Sequence, residues 1–412
     1  MESIKKLKEM QQENKVIQMP LDFSLTDKGN IKTNSIKNIG LILEHDPQLI
    51  HTFAFNEFTH EIEIIKNVKS LKIKRGRMID DYDSMILRYI EDTYNVFFPQ
   101  NNLQLAVTRE ARQHIFNPVV DYFEYCYEKW DEKKRVDTFM PDFLGVEKSD
   151  ITTLITKLFF TGAVAKAYEP TTKFDFVMDL VGGQGAGKTT LLKKMAGKWY
   201  TDQFTDFKDK DSYANMLRAL IINDDEMTAT HNSSFEVLKR FITAQELEFR
   251  KSYGRNSVRY DKNFVIARTT NEQTYLKDKT GERRFLPLKV NKSEQKHHPV
   301  TDLTQDIIEQ IWGEMVGYYK DGFKFGLTNQ QEKELEKHRE EFMYVDETES
   351  EIDLFVDNLE DDFVSSNQIA KFLGVESLVQ NRRMAQKIKY VMDNKDSWKY
   401  TQHPKRGYKL TL

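Results

Sequence analysis

Apolar positions along this chain fall into two alternating patterns, helical stripes and short continuous runs of strand character. Residues 1–20 are polar, lack a steady apolar period, and read as a disordered arm or a lone surface helix. From about residue 33 the pattern tightens. Ile36, Ile39 and Leu43 predict a helix that stops near His45-Asp46-Pro47, although Gly40 inside it weakens the helix. Two alternating runs, His51–Phe55 and Glu61–Ile65, predict a β-hairpin. Helices follow over Asp80–Tyr94, Asn101–Ile115 and Val119–Trp130, the last with Pro118 near its first turn.

The most apolar stretch, Leu154–Ala167, contains Lys157 and Lys166 and is too short to span a bilayer, so it reads as a core helix. Beyond it, strands and helices alternate. Phe174–Val181 predicts a strand, Leu191–Lys198 a helix, Ser212–Leu217 a helix and Ala219–Ile222 a buried strand. Helix Phe235–Ala244 turns Leu238, Phe241 and Ile242 inward, and strands Phe264–Ala267 and Phe285–Val290 follow. Residues 302–343 read as two helices, the first with a stripe of Ile307, Ile308, Ile311, Trp312, Met315 and Val316. Near the end, Ser365-Ser366-Asn367-Gln368 caps a short helix ending at Gly374, and Asn381–Met392 makes a second. A hairpin from Trp398-Lys399-Tyr400 to Gly407-Tyr408-Lys409-Leu410 closes the chain.

The implied fold class is α/β. An accessory α+β and helical module (21–147) precedes a core at 148–340. An acidic linker (341–364) and a C-terminal module (365–412) follow. Composition refines this little: 39% apolar and 31% charged residues suit a water-soluble globular protein. The single cysteine, Cys126, excludes an internal disulfide and suits a reducing cytoplasm, and the polar N-terminus is no signal peptide. Charge is more informative by position. Residues 341–362 carry ten acids and no Lys or Arg, whereas 365–412 carry ten bases against three acids, a local excess of +7. The acidic run reads as a solvated face. The basic module, with a short helix, a basic helix bearing Arg382, Arg383, Lys387 and Lys389, and a two-stranded wing, reads as a winged helix-turn-helix for DNA or as a protein-interaction version of that fold.

The densest chemistry lies in Gly182-Gly183-Gln184-Gly185-Ala186-Gly187-Lys188-Thr189-Thr190, which fits G-x-x-x-x-G-K-[ST]. Glycines allow a tight turn whose N–H groups point at phosphate oxygens, and the following helix adds its dipole. Lys188 would reach the β- and γ-phosphates of ATP, and Thr189 would ligate Mg²⁺. Predicted strand, loop and helix occur in the order that the motif requires. The run at 219–222 ends in Asn223-Asp224-Asp225-Glu226. On spacing, and taking this strand to adjoin the phosphate-loop strand, Asp225 is assigned to the metal and Glu226 to the attacking water, with Asp224 the rival for the metal. Asn271, after the strand at 264–267, is a candidate γ-phosphate or water contact; the alternative is an ordinary turn residue.

Residues 248–260 hold four bases and three aromatic rings around a Gly-Arg-Asn turn. Arg250, Lys251, Tyr253 and Arg255 would meet a nucleic-acid backbone with charge and stack on bases; the alternative is a solvated hairpin. Arg283 and Arg284 form an exposed pair before a strand, and either could reach a neighbouring subunit's γ-phosphate.

Taken together these pieces resemble the virulence-associated protein E family, phage and genomic-island proteins whose motor is similar to superfamily 3 helicases of AAA+ type. The resemblance is carried by His45-Asp46-Pro47, Phe55-Asn56-Glu57-Phe58, Trp130-Asp131 with Arg135-Val136-Asp137, Phe143-Leu144-Gly145, Lys173-Phe174-Asp175, the phosphate loop, and Thr270-Asn271 through Tyr275-Leu276, Asp278, Thr280-Gly281-Glu282-Arg283-Arg284-Phe285 and Pro287. It covers roughly residues 35–290. Ser252 stands where the family pattern expects a proline. The resemblance implies a P-loop NTPase core with Asn271 as polar sensor, Arg283 or Arg284 as trans-acting arginine, and Arg250–Arg255 as the DNA-facing hairpin. It further implies an ATP- and Mg²⁺-dependent DNA helicase acting in mobile-element replication, assembled as a ring with a hexamer favoured, on single-stranded and origin duplex DNA in a bacterial host's cytoplasm. An ATP-switched DNA-binding initiator or regulator needs the same site, and a small-molecule phosphotransferase is the third reading.

Overall fold

The computed structural model describes residues 21–250, 256–276, 282–344, 347–359, 361–393, 395, 397–402 and 405–411. The arm expected at 1–20 lies outside them. Two compact units divide the chain, one from Met1–Gln273 and Gly281–His338, the other from Thr274–Thr280 and Arg339–Leu412.

The first unit opens with helix α1 (Ile36–His45), where Ser35 accepts the Asn38 N–H as N-cap and Ile39, Ile42 and Leu43 are buried. Strands β1 (Phe53–Asn56) and β2 (Glu61–Ile64) pair antiparallel, Phe53 opposite Ile64. Strand β3 (Gly76–Arg77) adds to β2, and helices α2 (Asp80–Tyr94) and α3 (Gln100–Ala111) follow. The expected helix 101–115 stops early, because Ile115 and Phe116 form β4 parallel to β1. The sheet order is β3-β2-β1-β4. Asp46 accepts hydrogen bonds from the Tyr89 and Tyr94 hydroxyls, tying the end of α1 to α2.

Helices α4 (Pro118–Lys129), α5 (Val136–Leu144) and α6 (Asp150–Tyr168) lead into the main sheet. α6 is apolar on nearly every side and most of its residues are buried, as such a helix must be. Then come β5 (Val177–Val181), α7 (Lys188–Ala196), β6 (Tyr200–Thr201), α8 (Lys210–Met216), β7 (Ile221–Asp224), α9 (Thr228–Asn232) and α10 (Phe235–Thr243). A hairpin of β8 (Glu246–Phe249) and β9 (Val258–Asp261) precedes β10 (Val265–Thr270) and β11 (Phe285–Lys289). The chain continues into α11 (Gln305–Lys320) and α12 (Asn329–Glu340). The five main strands are parallel in the order β11-β5-β10-β7-β6. One expectation fails here: β7 does not adjoin β5, because β10 lies between them and hydrogen-bonds to both. Apolar runs show that a strand is buried but carry no record of its neighbour. No helix among the described residues is long and apolar enough to cross a membrane.

In the second unit, Tyr275 and Leu276 hydrogen-bond to the backbone of Phe342 and Tyr344. The run expected as an acidic linker instead forms helix α13 (Glu347–Asp357), burying Ile352 and Val356. Its acids mark only the outer side, while Ile352, Phe355 and Val356 at helical spacing mark the inner one. Strand β12 (Phe363–Val364), α14 (Ser366–Phe372), α15 (Arg382–Asp393), β13 (Trp398–Thr401) and β14 (Gly407–Leu410) complete the unit, with sheet order β12-β14-β13. Ser365 and Gln368 form a reciprocal capping box on α14. The overall class is therefore mixed α/β with one parallel sheet and many helices.

Two glycines in helices give opposite expectations. A Cβ on Gly313 of α11 would lie 2.5 Å from the Cys126 carbonyl oxygen and 2.6 Å from the Trp130 Cβ, so Gly313→Ala forces α11 off α4. Chemical denaturation should show a loss of about 1–3 kcal/mol. A Cβ on Gly40 meets nothing within 4 Å. Gly40→Ala should therefore stabilise by roughly 0.5–1 kcal/mol in the same measurement.

Candidate functional site

Strand β5 is buried along its whole length and delivers the chain to the loop at Gly182. Three of its four glycines answer a local demand. Gly182 donates its N–H to the Thr270 carbonyl at 3.0 Å, and a Cβ on it would lie 2.4 Å from the Val290 carbonyl oxygen. Gly185 and Gly187 take left-handed backbone angles, with φ of 75° and 80°. A Cβ on Gly187 would also strike Pro299 at 2.8 Å. The Gln295 side chain donates to the Ala186 carbonyl at 2.7 Å and holds the loop from outside. Helix α7 then begins at Lys188, aiming its first N–H groups and dipole along the loop.

The Lys188 ammonium donates to the carbonyls of Gly182 and Gly183 and, at 3.0 Å, to the Asn271 side-chain oxygen. Burial pushes its pKa down, and the charges of Asp225 and Glu226 oppose that shift. The Thr189 hydroxyl donates to Asp225 Oδ1 at 2.8 Å. Asp225 Oδ1 also accepts from Thr269 Oγ1 at 2.7 Å and Asn223 Nδ2 at 3.2 Å. Glu226 is exposed and left-handed at φ 52°, followed by Met227 at φ 51°. Two consecutive non-glycine residues in that region cost about 1–3 kcal/mol each. The Glu226 N–H is bound to the Thr269 hydroxyl at 3.1 Å.

Asp224 faces elsewhere. Its carboxylate is buried and accepts from the backbone of Ala229 and Thr230 at 2.7 and 2.9 Å and from the Thr230 hydroxyl at 2.6 Å. Burial raises its pKa and these hydrogen bonds oppose the rise. The carboxylate beside Thr189 is that of Asp225. The depression between these groups measures about 250 Å³ and is lined by Gln184–Thr190, Asp225, Glu226 and Thr269–Asn271.

Several contributors escape a reading of motifs alone. Thr269 links Asp225 to Glu226, and Asn223 links Asp225 to the Tyr200 hydroxyl at 3.0 Å. Directly behind, Arg268 of β10 clasps Asp179 of β5 with two bonds at 2.7 and 2.5 Å, both side chains buried. Arg268 also lies over the Phe285 ring, 4.1 Å from its centroid. The only signal in the sequence was a charged residue within each of two apolar strands.

The remaining candidates lie away from this cluster. Arg250 is exposed at the end of β8; Lys251, Tyr253 and Arg255 lie outside the described residues. At the hairpin's base Arg259 pairs with Glu248 at 3.2 Å, and Phe249 packs on Tyr260. Lys262 roots the hairpin by donating to the Phe241 and Ile242 carbonyls at the end of α10. Burial, then repulsion from Lys166, pushes its pKa down to about 7. Arg283 and Arg284 sit in a single helical turn before β11, Arg283 exposed. Register places Phe285 opposite Val177 and Lys289 opposite Val181, so both arginines lie at the sheet end away from the loop. Five strand residues separate the two ends, about 16 Å. Neither arginine is brought to this chain's own loop.

The virulence-associated protein E-like domain model matches residues 123–344, more than half of the 412 residues. The chain belongs to the virulence-associated protein E-like family. The matched span begins later than the resemblance read from residue 35 and runs past His338, the end of the first unit, to residue 344. Among solved structures, the apo A form of the NrS-1 C-terminal region is similar at a TM-score of 0.47, and a further apo structure of that region at 0.45. Each is 13% identical and covers 87% of this chain and 96% of its own. No curated protein sequence matches.

Asp224→Ala should cost about 1–3 kcal/mol of stability, since three donors lose their buried acceptor, and urea unfolding reads this directly. Lys262 carries a pH signature. Between about pH 7 and the ordinary lysine range near 10.5, the folded chain holds it neutral while the unfolded chain keeps the proton. The unfolded state then binds more protons, so stability rises with pH across that window. Urea unfolding at pH 7, 8 and 9 should show wild type gaining on Lys262→Met at each step.

Proposed function

We propose that this protein is an ATP-driven DNA motor of mobile-element replication, hydrolysing Mg²⁺-ATP in a ring of identical subunits. The observation that carries the reading is the Thr189–Asp225 contact, with Lys188 held to Asn271 beside it. A carboxylate just past a strand two positions away meets the loop hydroxyl that a P-loop NTPase uses for its metal. The loop residues Gly182–Thr190 would cradle the triphosphate, and Thr189 and Asp225 would hold Mg²⁺. When bound, Mg²⁺ neutralises charge on the β- and γ-phosphates. Lys188 would exchange loop carbonyls for phosphate oxygens, Asn271 would contact the γ-phosphate or the water, and Glu226 would orient that water.

Two features favour a site shared between subunits. The depression of about 250 Å³ suits the phosphates but leaves a whole nucleotide only partly enclosed. Arg283 and Arg284 lie at the far end of the sheet, where they could serve only a neighbour's loop. Arg250 and the segment after it would contact single-stranded DNA. The C-terminal unit follows the order helix, strand, helix, helix, strand, strand. That is a winged helix-turn-helix order, and Arg382, Arg383 and Lys389 are exposed on α15 for duplex phosphates. This basic face also favours a second reading, an ATP-switched initiator that binds DNA without unwinding it.

ATP hydrolysis measured with and without single-stranded DNA tests the motor. Wild type should respond to DNA, and Lys188→Ala and Asp225→Ala should each lower turnover 100-fold or more. Hydrolysis indifferent to DNA would sink the motor reading. Mixing Lys188→Ala with Arg283→Ala or Arg284→Ala subunits tests the shared site: partial recovery of activity is expected, and full activity in a strict monomer would remove the ring.

A further inference from the structure

A second cavity lies elsewhere in the first unit. It measures about 770 Å³, within the range of small-ligand sites, and is three times the volume beside the phosphate loop. The C-terminal turn of α7, Met195–Gly197, forms part of its wall. Lys188 begins that same helix, which at nine residues is about 13 Å long, so the two sites sit at opposite ends of it.

The lining combines flat aromatic surface with charge of both signs. Tyr122 and Tyr125 of α4 and Trp199 supply rings, Tyr122 and Trp199 with centroids 5.7 Å apart. The Tyr122 hydroxyl accepts from the Gln305 side chain at 3.0 Å, which fixes that ring at the wall. Asp121 brings a carboxylate to the same wall, a hydrogen-bond acceptor for ring N–H or amino groups. Arg75 and Lys198 are exposed where they border the cavity, and Lys198 lies over the Trp199 ring at 4.8 Å. Stacking surface, an acceptor for N–H edges and two cations at the border are together the requirements of one ligand class. A base supplies the ring and its donor edge, and its phosphate supplies the anion.

We infer that this cavity is a second nucleotide-recognition site, which takes a nucleobase between Tyr122, Tyr125 and Trp199 and its phosphate at Arg75 and Lys198. The base comes either from a free nucleotide or from one residue of a single strand, since both present the same ring and phosphate. The inference does not depend on hydrolysis at the loop.

Calorimetric titration of the full chain with each nucleoside 5′-monophosphate, and with a single-stranded 12-mer, tests it. Monophosphates lack the β- and γ-phosphates that the loop would grip, so they report on the cavity. Wild type and Lys188→Ala should bind a probe equally, and Trp199→Leu should weaken binding tenfold or more. Arg75→Glu and Lys198→Glu, at exposed positions that leave the core untouched, should weaken it as well. Binding of a monophosphate identifies a free nucleotide as the source, and binding of the 12-mer alone, weakened in Arg75→Glu and Lys198→Glu, identifies a strand. The inference is overturned if no probe binds, or if binding is unchanged in Trp199→Leu, Arg75→Glu and Lys198→Glu.

Discussion

The buried clasp between Arg268 and Asp179 is the contact on which the site's geometry rests. It joins the middle of β10 to the middle of β5, with Arg268 2% and Asp179 0% exposed. Two charges taken from water are tolerated only when they satisfy one another, and breaking such a pair costs about 3–5 kcal/mol. The planar guanidinium meets the carboxylate through two parallel bonds, which sets lateral register as well as attraction. With that register set, Thr269, Thr270 and Asn271 emerge beside the glycine loop at 182–187. Thr270 receives the Gly182 N–H, Asn271 receives Lys188, and Thr269 receives Glu226 while donating to Asp225.

From this arrangement follows a division of labour among three consecutive acids. Asp224 is turned into the protein and caps the turn at Ala229 and Thr230. Asp225 is turned to the loop and gathers three donors on one oxygen. Glu226 is exposed and held in a left-handed conformation. The strand ends at Asp224 and a helical turn begins at Asp225, so one step past the strand exchanges a structural carboxylate for one facing the site. The strained pair at Glu226 and Met227 is the turn that allows the third acid to leave the strand without joining a regular helix.

The C-terminal unit shows how charge and apolar pattern can speak of different faces of one element. Ten acids in 341–362 describe what meets water. Ile352 and Val356 describe what meets the core, and burial decides the structure because each such side chain is worth about 1.5–3 kcal/mol while exposed charges contribute little. The acids still have local partners: Glu349 lies 3.7 Å from Lys387 of α15, and Asp353 lies 2.9 Å from Lys395. Part of the basic surplus read from the sequence is thus matched within the unit, while Arg382, Arg383 and Lys389 face outward.

Local pattern determined most elements by itself. The helix at 80–94, the hairpin at 53–64, the glycine loop and the capped helix after Ser365 each depend on residues a few positions apart, so their physics is written in adjacent letters. The sequence also determined that Lys188, Thr189 and an acid from 224–226 would belong together, since the loop motif carries its own chemistry. It did not determine the strand order, because hydrogen bonds between β5 and β10 join residues nearly ninety positions apart and any buried strand satisfies the same apolar pattern. Only the tertiary structure placed β10 beside β5, chose Asp225 over Asp224 at the loop, and recruited Thr269 and Asn223. Those choices were made by side-chain direction and long-range pairing, and neither leaves a mark at short spacing.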